Sequence, residues 1–212
     1  NIGGIGNATV IPAKAATGDI IAFDTGPGNM LMDAVVIDGT GGAERYDDAG
    51  RRGAIGKVSE STVKSLMDDP YFKRQPPKST GREVYGAGFA RDFIARTKAM
   101  GLSLEDRVAT ATAFTAETIT AAYKDFILGR TRIAAVFVAG GGALNPTLLR
   151  MMQERLPTGI LMTTSAAAGV PDQAREAMAF AVIGHESLMG RPGNLPAVTG
   201  ARDPVVLGSI TL

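Results

Sequence analysis

The chain has 212 residues, 45% of them hydrophobic, enough to bury one full core as a single large domain. With 22 Lys and Arg against 21 Asp and Glu the net charge is +1, so there is no electrostatic case for nucleic acid or an anionic membrane as a partner. The lack of cysteine excludes disulfides, thiolate metal sites and a thiol nucleophile, and no apolar run is long enough to span a bilayer.

The segment from Asn1 to Ile11, with Gly3, Gly4 and Gly6, reads as the end of one strand, a glycine turn and the start of a second strand. The tip of such a hairpin can approach a ligand closely. From Ile20 to Asn29 an apolar strand delivers Asp24 into the turn Gly26-Pro27-Gly28, and a helix opens at Met30. A carboxylate then stands beside the N–H groups of a helix N-terminus, where phosphate is favoured. Phosphoryl transfer is one reading; in the other, Asp24 and Asn29 only cap the turn and helix. Asp33, one turn further on, either supports Asp24 or caps an interior hydrogen bond.

Glu44, Asp47 and Asp48 with Arg45, Arg51 and Arg52 read as a solvated charged loop. Thr80 and Glu83 have the spacing of a capping box, and Lys78 and Arg82 beside them either serve structure or face a carboxylate or phosphates. Ser103 with Asp106 starts a long helix in which Leu104, Val108, Thr112, Thr115, Ile119, Ala122 and Phe126 recur at helical spacing until Gly129. Ile133 to Ala139 is a buried strand that runs into Gly140-Gly141-Gly142 and a helix with Pro146 in its first turn. Asn145 stands where a dinucleotide fingerprint has its third glycine, and no Gly-Lys-Ser/Thr ending occurs, so a nicotinamide site is disfavoured and a P-loop excluded. Asp172 reads as an N-cap and Ala177 to Gly184 as a buried apolar helix with Glu176 at its mouth. His185, the one histidine, has no identifiable triad partners. The order is three strands, a helix, a helical insertion, then strand, helix, strand, helix, strand. It predicts a mixed, mostly parallel sheet with flanking helices.

Three glycine turns, each ending a strand, are the arrangement of nucleotide-binding lobes of the actin, hexokinase and Hsp70 type. The chain resembles the C-terminal part of the anhydro-N-acetylmuramic acid kinase family. The resembling blocks are Asn1 to Asn7, Phe23 to Ala34, Pro77 to Glu83, Ala139 to Pro146, Glu176 to Ala181 and Pro192 to Ala201, in the family's order. The implied fold is an α/β, ribonuclease H-like lobe. Residues 1–212 would be the single C-terminal lobe of a two-lobe sugar kinase, with the N-terminal lobe and its Gly-Thr-Ser loop absent and the fragment alone inactive. The implied function is ATP- and Mg2+-dependent hydrolytic opening of 1,6-anhydro-N-acetylmuramic acid with phosphorylation of its C6 oxygen, in cytoplasmic cell-wall recycling.

Carried over residue by residue, the resemblance makes Asp24 the base that activates water; its competing role is a magnesium ligand through water. Gly3 and Gly4 fall at the β- and γ-phosphates, Gly26 and Gly28 in the second phosphate turn, and Asn7 orders the hairpin or contacts phosphate. Gly140, Gly141, Gly142 and Asn145 fall on the adenosine side. Glu176, Lys78 and Arg82 face the sugar. No metal site built from side chains is expected, and a homodimer is compatible with the pattern. The chain departs from the family at Ala49-Gly50 and Arg52, where Asp-Gly and an aromatic are usual, and at Gly86, which replaces an Asn. These departures leave the exact sugar open, levoglucosan being a variant. The reading of another class is an actin- or Hsp70-like nucleotide switch.

Overall fold

The computed structural model describes residues 1–171 and 174–209. Strands β1 (Ile5–Val10) and β2 (Ile21–Pro27) pair antiparallel, with Ala8 opposite Phe23 and Asn7 opposite Asp24. Alternation sends Ala8, Val10 and Phe23 to one face, where they pack with Ala122, Phe126 and Ile127. Asn7 and Asp24, directly across from each other, share the opposite, half-buried face. Between Gly6↔Gly26 and Asn7↔Asp24 the register slips, so Thr25 is an extra residue on β2, a β-bulge beside the carboxylate.

Helix α1 (Asn29–Gly39) buries Leu31, Met32, Val35 and Val36. The chain then stays helical through α2 (Arg51–Ile55), α3 (Glu60–Leu66), a 3-10 turn at Pro70–Lys73, α4 (Arg82–Tyr85), α5 (Ala87–Ala99) and α6 (Leu104–Phe126). The hydroxyl of Ser103 accepts the N–H of Asp106 and starts α6, as its spacing predicts. Helix α6 is the central column, against which α1, α2, α3, α7 (Pro146–Arg155) and β2 all pack. Its buried threonines stay satisfied by donating to the carbonyl one turn back: Thr110 to Asp106, Thr112 to Val108 and Thr120 to Ala116. Strand β3 (Ala135–Val138), α7 and β4 (Leu161–Thr164) form a β-α-β unit with parallel strands. Helices α8 (Arg175–Leu188) and α9 (Pro196–Thr199) follow, and α9 packs on β2.

The architecture is mixed α/β, and three details depart from expectation. The sheet is not mostly parallel: one antiparallel and one parallel pair are present among the described residues. The first arm of the opening hairpin shrinks to a single bridge, Ile2 to Gly6, because Ile2 gives its remaining bonds to Ala139 and Gly142. Residues 201–209, the last described, are not a strand: Gly193 N–H donates to the Val205 carbonyl and Val205 N–H to Asn194 Oδ1, which ties this backbone to a loop.

Helix α8 is not buried either. Phe180 is 72% exposed, and Met178, Val182 and Leu188 are also exposed. An apolar run reports a need for a packing surface, and none of the described elements supplies one. Asp172, expected to cap this helix, lies outside the described residues. The acidic cluster is more structural than a solvated loop: Asp47 is buried and accepts the N–H groups of Arg52 and Gly53 in the first turn of α2, whose N-cap is Gly50. Arg52 pairs with both Glu44 and Glu105, and those partners raise its pKa.

Candidate active site

The three glycine turns meet at Ile2 and Gly3. Gly28 N–H donates to the Gly4 carbonyl at 2.8 Å and Asn29 N–H to the Gly3 carbonyl at 2.7 Å, which joins the hairpin tip to the turn before α1. Ile2 N–H donates to Ala139 O at 2.7 Å and Gly142 N–H to Ile2 O at 3.0 Å, which joins the same tip to the loop after β3. The Asn29 amide also donates to Ile2 O, at 3.2 Å. Beneath this junction, mid-helix on α6, the Thr115 hydroxyl donates to the Gly28 carbonyl at 3.0 Å. Sequence reasoning took Thr115 as core alone; its i, i+4 periodicity gave no sign of the bond.

The glycines divide by what the fold asks of them. Gly140 has φ +82°, and a Cβ there would press on the Ile2 carbonyl; one on Gly28 would overlap the Gly3 carbonyl. Gly3 and Gly4 are different. A Cβ on Gly3 would find its nearest neighbours 3.8 Å away and one on Gly4 would sit 3.4 Å from Met30, so packing within the chain does not demand glycine at either.

Asp24 is half-buried on β2 and is held from three sides. Its N–H donates to the Lys78 carbonyl at 3.1 Å, its carbonyl accepts the Tyr71 hydroxyl at 2.8 Å, and its Oδ2 accepts the Thr80 N–H at 3.0 Å. Among the described residues Oδ1 accepts no hydrogen bond. Thr25 follows it on β2 and the Thr80 N–H donates to it, and the Oγ1 atoms of both are enclosed without hydrogen-bond partners among the described residues. Thr25 lies so close over Gly6 that a Cβ there would come within 2.8 Å of its hydroxyl. Asp33, at i+4 from Asn29 on α1, shares its side of the helix, and burial pushes its carboxyl up to about 6. It accepts no hydrogen bond among the described residues, so the reading of Asp33 as an interior cap is not met.

Other expected residues lie elsewhere. Lys78 does not face the junction: only 5% exposed, it gives its Nζ to the carbonyls of Tyr71 (3.0 Å) and Phe72 (3.2 Å). Its ammonium lies instead among the rings of Tyr71, Phe126 and Phe23. Thr80 and Glu83 do not form a capping box, because the N-cap of α4 is Gly81 and the Thr80 N–H is spent on Asp24. Arg82 is exposed at the start of α4, with no bond or ion pair among the described residues. Asn145 caps α7 through Oδ1, which accepts the Leu148 N–H at 2.9 Å, so that oxygen serves the helix. Asn7 faces Asp24 across the ladder and exchanges backbone bonds with Asn1. Glu176 is exposed in the first turn of α8, and among the described residues it makes no side-chain hydrogen bond or ion pair with the junction.

The family profile for anhydro-N-acetylmuramic acid kinase matches residues 1–212. Proteins named anhydro-N-acetylmuramic acid kinase are similar along the chain: 41% identity in Caldanaerobacter subterraneus, over 100% of this chain and 53% of the relative, and 41% in Francisella tularensis subsp. novicida, over 99% and 54%. The relative from Streptomyces coelicolor is 43% identical over 100% of this chain and 51% of its own length. The chain thus spans about half the length of the curated relatives it matches. With a profile match along the whole sequence and named relatives at 41–43% identity along its length, the chain belongs to the anhydro-N-acetylmuramic acid kinase family.

Proposed function

We propose that this chain forms one lobe of an ATP-dependent sugar kinase that opens the ring of 1,6-anhydro-N-acetylmuramic acid with water and phosphorylates the C6 oxygen, in peptidoglycan recycling. The lobe is of the actin, hexokinase and Hsp70 type, and residues 1–212 are the single C-terminal lobe of a two-lobe kinase. The observation that carries this is a junction of three glycine turns, one of them at the end of the strand that bears a carboxylate with one oxygen uncommitted. Gly3 and Gly4, which the fold does not require, are explained by close approach of phosphate oxygens to their N–H groups. Gly140, Gly141 and Gly142 stand on the nucleotide's other side, with Asn145 holding the helix behind them.

Asp24 is the general base. Its Oδ1 takes a proton from water as the water oxygen bonds to C1; the C1–O6 bond breaks, O6 bonds to the γ-phosphorus, and ADP leaves. The proton passes on to solvent. Among the described residues no three acidic or histidine side chains gather to hold a metal. Magnesium fits as an ion carried by the ATP phosphates, where it supplies charge neutralisation. Arg82, exposed near Asp24's clamp, and Glu176 are the side chains offered to the sugar.

The test is mass spectrometry of the product when the intact protein is incubated with Mg-ATP and the anhydrosugar. The expected product carries one water and one phosphoryl group more than the sugar, in step with ADP release. ADP release without a sugar product supports a nucleotide switch, and turnover confined to an anhydrosugar without the lactyl ether supports the levoglucosan variant.

A further inference from the structure

We propose that Lys78 is a positioning residue for Asp24, anchoring the 78–80 segment in the place from which it orients the carboxylate. This rests on Asp24 being the reacting carboxylate, as proposed above. The ammonium group is enclosed by rings, 4.6 Å from the centroid of Tyr71, 4.7 Å from Phe126 and 5.9 Å from Phe23. It donates to the Tyr71 and Phe72 carbonyls within the 70–73 turn, and among the described residues no carboxylate lies within ion-pairing distance of it. Burying an unpaired ammonium is costly, and an apolar chain of equal length would fill the same space more cheaply. What the cation adds is a fixed tie between the 70–73 turn and residue 78.

That tie reaches Asp24 by every route that holds it. The Lys78 carbonyl receives the Asp24 N–H, Thr80 two residues on supplies the N–H to Oδ2, and Tyr71, whose carbonyl Lys78 grips, supplies its hydroxyl to the Asp24 carbonyl. One oxygen is thereby pinned and the other left to take a proton. A displacement of the base by about 1 Å costs on the order of a hundredfold in rate.

Lys78→Met in the intact protein keeps the length and the apolar stem and deletes the charge. Two readouts decide the matter. Relative to the parent at equal folded fraction, kcat should fall at least about tenfold while the KM for ATP stays within about twofold. The Thr80 amide proton, recorded by NMR, should follow protonation of Asp24 in the parent, a response that Asp24→Asn identifies by removing it, and should lose that response in Lys78→Met. A Thr80 response of parental amplitude together with kcat within about twofold overturns the proposal. If the parent itself turns over no sugar, the kinase function falls, and the amide response alone still decides the role of Lys78.

Should Lys78→Met not fold, the parent provides the second measurement. Burial lowers the Lys78 ammonium to about 8, with Arg74 and Lys73 pushing the same way and Asp125 on α6 opposing; Tyr71 stays neutral because burial and Asp24 raise it. Deprotonation slackens the bonds to Tyr71 and Phe72. The Thr80 amide should therefore shift with the same midpoint as the Lys78 Cε signal between about pH 7 and about pH 9.5. An amide that stays constant while Lys78 titrates overturns the proposal.

Discussion

Two kinds of glycine sit at the junction, and substitution separates them. Gly140→Ala forces a side chain into left-handed backbone against the Ile2 carbonyl, so it should cost about 1–3 kcal/mol of stability, read as a lowered urea midpoint. Gly3→Ala meets no atom closer than 3.8 Å, so stability should hardly change. On the proposed function ATP binding should weaken instead, because the methyl group would stand where the phosphates are proposed to approach, and calorimetric titration with a non-hydrolysable analogue checks this. An alanine at residue 3 that leaves affinity unchanged would remove the phosphates from the hairpin tip. Side chains here speak less plainly in the sequence than glycines do. Lys78 in a charged-looking loop carried the same signal whether it faced a substrate or an aromatic cage, and only the fold brings Phe23 and Phe126 to its sides.

Local chemistry made some elements legible. Ser103 before Asp106 and Pro146 in a first turn announce helix starts, since such signals need only residues within one turn; the Ser103 cap forms, and Asn145 adds a cap that the sequence reading did not assign. The turn at Gly26 to Gly28 was equally readable from strand, carboxylate and glycine in succession. Elements fixed by distant partners were not. The Thr80 box lost to a bond 56 residues away, from the Thr80 N–H to Asp24, and the bulge at Thr25 depends on how β1 aligns with β2. The apolar sequence of α8 marked a helix correctly, whereas its burial depends on a surface that the sequence of the helix does not contain. Thr115 shows the same limit: on the helical wheel it is core, and its hold on the Gly28 carbonyl follows from where α6 crosses the turn.

At the scale of the whole molecule, folding free energy carries the imprint of the junction. Asp33 holds its proton up to about 6 because burial disfavours its charge, against an ordinary 3.8. The folded state therefore binds more protons than the unfolded state between those values, and the Asp33 contribution, fully present below about pH 4, is lost as pH rises through 6. Asp33→Asn should raise the urea midpoint at pH 7 by the equivalent of about 1–2 kcal/mol and leave it nearly unchanged near pH 4. A variant equally displaced at both pH values would show that burial of this charge is not the cause. Lys78 has the opposite sign, since its lowered pKa makes the unfolded state bind more protons above about pH 8, and stability rises from there until the buried tyrosines begin to oppose it.

Family membership, the gathered glycine turns and the clamp that leaves one Asp24 oxygen uncommitted all support the proposed kinase lobe with Asp24 as its base. Asp24→Asn in the intact protein tests that most directly, because the amide keeps the shape and the bond from Thr80 but cannot take a proton from water. Calorimetric titration with an ATP analogue should give parental affinity, while product analysis with the anhydrosugar shows ring opening and phosphorylation falling together by about a hundredfold to ten-thousandfold. Turnover near the parental rate would contradict the assignment and pass the role of base to another carboxylate.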